Sequence, residues 1–62
     1  MEKIIIINKN NGFYSDVLKN KFNIGFEVIN FYLNNYYNKT ENKVINEINK
    51  IIKDKNVKYL VA

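Results

Sequence analysis

Four consecutive isoleucines, Ile4-Ile5-Ile6-Ile7, stand between Glu2-Lys3 and the turn-like stretch Asn8-Lys9-Asn10-Asn11-Gly12. A strand with one face in water alternates apolar and polar residues, whereas an unbroken apolar run predicts a strand that is covered on both faces. We therefore expect residues 4–7 to form the central strand of a small sheet, and the rest of the chain to supply its neighbours and its cover.

Length and composition limit the class of protein. The 62 residues predict one domain, 1–62, and a chain this short buries only about 60% of its unfolded surface, so a second copy or a bound partner would add stability. The sequence has no cysteine and no histidine, which excludes disulfides and thiolate or imidazole metal ligands. We expect no metal and no cofactor.

All the positive charge is lysine: ten lysines and six acidic residues give a formal net charge of +4. Thirteen asparagines accompany the lysines, and since A- and T-rich codons encode both residues, base composition accounts for much of the basic excess. The four apolar residues after Met1-Glu2-Lys3 are too few for a signal peptide or a bilayer span. This predicts a cytoplasmic protein with no membrane segment.

The dipeptide Asn11-Gly12 is typical of a two-residue hairpin turn. A hairpin there would place Val17 and Leu18 opposite the isoleucine strand, and we prefer this interpretation because two strands alone are a poor basis for a stable domain. The alternative is a short helix over residues 13–22. Its apolar stripe would consist of Phe13, Tyr14, Val17, Leu18 and Phe22.

The segment from Ile24 to Tyr37 has apolar residues at intervals of three and four, which predicts a helix. The β-branched and aromatic content of Val28 to Leu33 would also suit a strand. Thr40 is then a competent N-cap for a second helix that ends near Asn56. The apolar face of that helix comprises Val44, Ile45, Ile48, Ile51 and Ile52.

Val57 to Val61 closes the chain as a strand, parallel to the first and beside it. The expected fold is therefore a small α+β domain of order β-β-α-α-β with two helices on one face of the sheet, and the alternative is β-α-α-α-β. The hairpin version leaves the other face of the isoleucine strand without cover, which predicts an exposed apolar interface.

No pattern of catalytic residues is present. Ser15 and Thr40 lack a base at a meaningful spacing, and the six carboxylates are spread singly. The loop Asn8 to Gly12 has one glycine and lacks the Gly-Lys-Ser/Thr ending of a phosphate-binding loop. We expect a protein that is not an enzyme.

The leading hypothesis is a protein-binding module that docks a partly apolar surface on another protein or on itself, as a homodimer. Very short genes with this codon bias are frequent in phages and mobile elements, so one concrete instance is an inhibitor of a host defence protein, of the anti-CRISPR type. The candidate partner-binding residues are Phe31, Tyr36, Tyr37 and Lys39.

The alternative hypothesis is weak, non-specific nucleic-acid binding through surface lysines beside aromatic residues. Its candidate residues are Lys19, Lys21, Lys43, Lys50 and Lys53. The absence of arginine removes the bidentate contacts to bases and phosphates on which sequence-specific recognition depends.

Overall fold

A computed structural model describes all 62 residues and shows three strands and two helices. The predicted small α+β fold is confirmed at that level. The elements are β1 (Glu2–Asn8), α1 (Phe13–Phe22), β2 (Phe26–Tyr32), a 3₁₀ turn (Leu33–Tyr36), α2 (Glu41–Lys55) and β3 (Tyr59–Val61).

The sheet has the order β2-β1-β3, and both neighbours run parallel to β1. Ile5 pairs with Ile29 on one side and with Leu60 on the other. The isoleucine strand is therefore central, and the closing strand lies parallel beside it, as the sequence predicts. Strands β2 and β3 are each reached by a helical crossover, because parallel neighbours cannot be joined by a tight turn.

The predicted hairpin over residues 9–18 is wrong, and the alternative helix at residues 13–22 is correct. A type I′ turn needs positive φ at its central residues, but Gly12 is extended with φ 176°. Ser15, in the first turn of α1, instead holds the end of the loop: its Oγ accepts a hydrogen bond from the Gly12 N–H at 3.0 Å and donates to the Gly12 carbonyl at 2.8 Å. This local hydrogen bonding favours a helix start over a reversal of the strand.

The predicted helix over residues 24–37 is also wrong. Phe26–Tyr32 is a strand, and only Leu33–Tyr36 is helical, as a 3₁₀ turn. With α1 occupying residues 13–22, this segment is the one that pairs with β1 along its whole length, from Glu2↔Phe26 to Asn8↔Tyr32. Pairing in the sheet overrides the helical spacing, because β-branched and aromatic residues fit a covered strand well.

The predicted second helix is confirmed as α2. The Thr40 Oγ1 accepts a hydrogen bond from the Lys43 N–H at 3.3 Å, and Asn56 ends the helix in the left-handed conformation with φ 55°. A left-handed residue at this position allows the last carbonyls to be satisfied, and the Asn56 N–H indeed reaches the carbonyls of Ile52 and Lys53.

Both faces of β1 are covered, so the predicted exposed isoleucine face does not exist: Ile4, Ile5 and Ile6 are at most 3% exposed. Helix α1 covers the face that carries Ile4 and Ile6, since Phe22 packs edge-on against Phe26 of that face with ring centroids 6.3 Å apart. A helix at residues 13–22 supplies the cover that a second strand could not.

We infer that helix α2 lies over the opposite face, because Ile5 is fully buried there and the apolar stripe of α2 is half-buried. The right-handed rule for parallel crossovers puts α1 and α2 on opposite faces when β2 and β3 flank β1. The prediction of two helices on one face paired a helix over residues 24–37 with the helix that is now α2. It does not hold, because residues 26–32 form strand β2.

Candidate protein-binding surface

The carboxyl ends of the three parallel strands meet at one edge of the sheet, which we call the carboxyl edge. The loop after β1 (residues 9–12) and the segment after β2 (residues 33–40) both lie there. They are joined by a hydrogen bond of 2.8 Å from the Asn34 N–H to the Lys9 carbonyl. In α/β sheets this edge is where side chains from loops and helix starts are free to contact other molecules.

Large apolar side chains are exposed at the carboxyl edge. Phe13 and Tyr14, in the first turn of α1, are 85% and 71% exposed, and Tyr37 is 86% exposed. Leu33, directly after β2, is exposed to a smaller extent. We define the carboxyl-edge surface by these four residues together with the exposed Lys39.

The orientation of α1 explains why Phe13 and Tyr14 face solvent. The inward side of the helix consists of the buried Ser15 and the half-buried Leu18 and Phe22, which follow at intervals of three and four. Phe13 and Val17 are a second i, i+4 pair on a different side, and Val17 is also exposed. The apolar residues of α1 therefore form two stripes, of which the sheet covers one.

The four predicted partner-binding residues occupy different depths. Phe31 is buried, and the ring of Tyr36 stacks on it at a centroid distance of 4.8 Å and an interplanar angle of 9°. Tyr36 is half-buried, whereas Tyr37 and Lys39 are exposed. Phe31 is therefore a core residue, and Tyr37 and Lys39 are the two residues of the set that solvent reaches freely.

A shallow groove of about 390 Å³ opens between the segment after β2 and the first turns of α2. Its lining contains one aromatic ring, two ammonium groups, an amide and a carboxylate. The residues are Tyr36, Lys39, Lys43, Asn46 and Glu47. The groove brings together Tyr36 and Lys39 of the partner-binding set and Lys43 of the nucleic-acid set.

The candidate nucleic-acid residues do not form one surface. Lys19 and Lys21 lie on α1, while Lys43, Lys50 and Lys53 lie on α2, and all five are exposed. Because α1 and α2 cover opposite faces of the sheet, the two groups point away from each other. Lys43 and Lys50, seven residues apart, share one side of α2.

Two polar side chains are buried, and both have hydrogen-bond partners. Asn8 bonds to Asn30, and the Ser15 Oγ contacts Gly12 and, at 3.5 Å, the Asn11 Oδ1. No basic side chain is among the hydrogen-bond partners of Ser15. No group of three or more histidine, cysteine, aspartate or glutamate side chains comes together as a metal site, and neither helix has the length and apolar character that a bilayer span requires.

Comparison of the chain with protein-family models, with curated proteins and with solved structures found no match.

The sequence interpretation missed Phe13 and Tyr14 as surface residues, because the hairpin would have placed them in a strand. One signal could have found them. In the helical alternative, Ser15, Leu18 and Phe22 form a continuous inward line, and that line excludes Phe13 and Tyr14.

Proposed function

We propose that this chain is a non-enzymatic protein-binding module that docks its carboxyl-edge surface on another protein. The observation that carries the proposal is the exposure of three aromatic rings, Phe13, Tyr14 and Tyr37, at one edge of the sheet. Single exposed apolar residues need no explanation, but several large ones at the same end of a sheet favour an interaction site.

Aromatic residues are the side chains on which binding energy concentrates in protein interfaces, because they bury much area with few rotatable bonds. Phe13 and Tyr37 are almost fully exposed, so a partner that covers them gains nearly their whole transfer free energy. The stacked pair Phe31 and Tyr36 ties the 3₁₀ turn to strand β2. Tyr37 follows this turn directly and is therefore presented by an anchored segment.

The charge of the chain indicates the chemistry of the partner. The net charge is +4, and Lys9 and Lys39 lie exposed at the carboxyl edge beside the aromatic residues. Charge complementarity speeds encounter and suppresses wrong partners. The partner we propose has an apolar patch with acidic residues around it.

As a class of partner we propose a host defence protein that a phage or mobile element inhibits, of the anti-CRISPR type. The support for this step is the composition of the chain, which is rich in the lysine and asparagine that A- and T-rich codons encode. An inhibitor of this kind needs one binding surface and no catalytic group.

The test is site-specific photo-crosslinking in a lysate of the host cell. A photoreactive residue at Tyr37 should capture one protein strongly, and the same residue at Asp54, exposed on α2, should not. Phe13→Ala should then reduce the affinity for the purified partner at least about tenfold, which corresponds to about 1.4 kcal/mol. Equal capture from both positions, or an unchanged affinity, would overturn the proposal.

A second candidate function is weak nucleic-acid binding along α2, favoured by the groove that Tyr36, Lys39 and Lys43 line together. Base stacking on an aromatic ring beside lysines is typical of single-strand binding. Titration of a single-stranded oligonucleotide should give an association constant that falls with salt. The slope of its logarithm against the logarithm of the salt concentration should be about −0.7 per phosphate contacted. Lack of binding at about 50 mM salt would exclude this function.

A further inference from the structure

Strand β3 has a free edge, and its side chains are only partly covered: the Tyr59 ring packs on Phe26 at a centroid distance of 5.4 Å, and Val61 is half-buried. Its three residues pair with β1 at Ile4 to Ile6, and no strand lies on its other side. Tyr59 and Leu60 point to opposite faces, and they are 48% and 50% exposed. The row of backbone N–H and C=O groups that points away from β1 is also unpaired.

The opposite edge of the sheet, formed by β2, is different. All the apolar side chains of β2 are buried or half-buried. Strand β2 also carries the exposed Glu27, whose carboxylate lies 4.0 Å from the Lys3 ammonium. A charged residue on an edge strand opposes pairing with another sheet, and residues 59–61 contain none.

A helix can cover only one face of a strand, whereas β3 is half-exposed on both faces. Continuation of the sheet by a further strand, with its own helices on either side, would cover both faces and pair the free backbone groups at the same time. Parallel sheets occur almost only with both faces covered, and three strands are few for such a sheet.

We propose that β3 pairs with β3 of a second copy of this chain, around a two-fold axis, to form a continuous six-stranded sheet. A two-fold pairing of edge strands is antiparallel and self-complementary. If the two-fold axis passes between the two Leu60 residues, Leu60 lies opposite the partner's Leu60 on one face of the sheet. On the other face, Tyr59 lies opposite the partner's Val61. Lys58 then faces the partner's Ala62, so that no like charges oppose each other.

The small core explains why a second copy would be favoured. Only four apolar residues, Ile4, Ile5, Ile6 and Phe31, are buried, and a domain of this size has about 3–5 kcal/mol of stability from its core alone. Burial of the β3 edge adds to it. The interface is short, which places it among weak contacts with a dissociation constant on the order of micromolar.

The β3 edge is separate from the carboxyl-edge surface, so this proposal goes beyond the proposed function and can fail independently of it. The first measurement is sedimentation equilibrium from about 10 µM to about 1 mM, a range that brackets such an affinity. We expect a reversible monomer–dimer equilibrium. A monomer throughout this range would overturn the proposal.

Two variants, each of which replaces a leucine with a charged lysine, test whether the dimer forms through β3. Leu60→Lys places a lysine directly opposite the same lysine of the partner. Because like charges that face each other across an interface repel, this variant should weaken dimerisation at least tenfold. Leu33→Lys, at a half-exposed leucine of the carboxyl edge, should leave the dimer unchanged. Equal effects of the two variants would contradict the pairing through β3.

A cross-linking experiment decides the register even where Leu60→Lys fails to fold. The chain has no cysteine, so Leu60→Cys introduces the only thiol. Directly opposed residues of an antiparallel pair have Cα atoms about 4.5–5.5 Å apart, within the range of a disulfide. Leu60→Cys should form disulfide dimers at least tenfold faster than Tyr37→Cys at equal concentration, and equal rates would overturn the register.

Discussion

The Asn8 Nδ2 donates a hydrogen bond of 3.0 Å to the Asn30 Oδ1, between neighbouring strands β1 and β2. Asn8 is only 6% exposed and ends the isoleucine strand. Its other contact is a long one of 3.5 Å to the Ile6 carbonyl. The pair therefore satisfies a buried amide at the point where the core meets the carboxyl edge.

Asn8→Ala and Asn30→Ala should each lower the free energy of unfolding by about 1–3 kcal/mol, because either change leaves a polar group of the pair without its partner. The double variant should cost less than the sum of the two, since the interaction is lost only once. Urea denaturation of the four proteins gives the coupling energy. A coupling energy of zero would show that the hydrogen bond contributes nothing to stability.

Asparagine at position 8 also shows where the sequence was informative and where it was not. The isoleucine run predicted the central strand, because a two-sided apolar strand has no other common explanation. Asn8 and Gly12 looked like parts of one turn, since asparagine and glycine favour turns regardless of context. The structure buries Asn8 against a residue 22 positions away, and a contact at that distance has no local signal.

The sequence predicts a strand in residues 13–22 and a helix in residues 24–37, and the structure has a helix in the first segment and a strand in the second. The cause is similar. Both segments carry apolar residues at spacings that suit a helix, and only the sheet decides which of them pairs with β1. Helix α2 was predictable because Thr40, the apolar stripe and Asn56 all indicate the same element. At the candidate surface, Tyr37 and Lys39 were predicted from the run of aromatic and basic residues Tyr36 to Lys39, and their part in binding stays a prediction, whereas Phe13 and Tyr14 required the correct assignment of α1.

The left-handed conformation of Asn56 gives a test of the end of α2. Asn56→Ala places a Cβ-bearing residue without a polar side chain at φ 55°, which should destabilise the protein by about 1 kcal/mol. Asn56→Gly should be neutral or slightly stabilising, because glycine adopts this conformation without strain. Thermal melts of the two variants measure the difference in stability. Equal melting temperatures for Asn56→Ala and Asn56→Gly would contradict a left-handed conformation at the end of the helix.

The core can be tested by making the same substitution, isoleucine to valine, at a buried position and at an exposed position. Ile5→Val, at a fully buried position, should cost about 0.5–1.5 kcal/mol through the loss of one methylene group. The matched control is Ile24→Val, which removes the same group from a side chain that is 87% exposed and should change stability by less than about 0.5 kcal/mol. Equal midpoints in urea for the two variants would show that Ile5 is not at the centre of the core.

The exposed rings of the carboxyl edge should contribute little to folding. Phe13→Ala and Tyr37→Ala remove side chains that are 85% and 86% exposed, so we expect changes within about 0.5 kcal/mol for each. Circular dichroism melts measure this directly. A loss of more than about 2 kcal/mol would show that these rings pack against the protein, and their exposure would then no longer support a binding surface.

The packing of α2 on the sheet is tested by Ile48, the half-buried residue at the middle of its apolar stripe. Ile48→Ala should lower the free energy of unfolding by about 1–3 kcal/mol, less than the cost at a fully buried site, because part of the side chain already contacts water. Two controls lie on the same helix. Ile45→Ala makes the same change at a side chain that is 45% exposed and should cost less than half as much.

The second control, Lys50→Ala, lies on the side of α2 that faces solvent and should change stability by no more than about 0.5 kcal/mol. The expected order of destabilisation is therefore Ile48, then Ile45, then Lys50, measured by paired thermal melts at one protein concentration. The fixed concentration matters because self-association would shift the melting temperature of every variant. If all three substitutions have equal and small effects, α2 is not packed over the Ile5 face, and the placement of the two helices on opposite faces of the sheet is wrong.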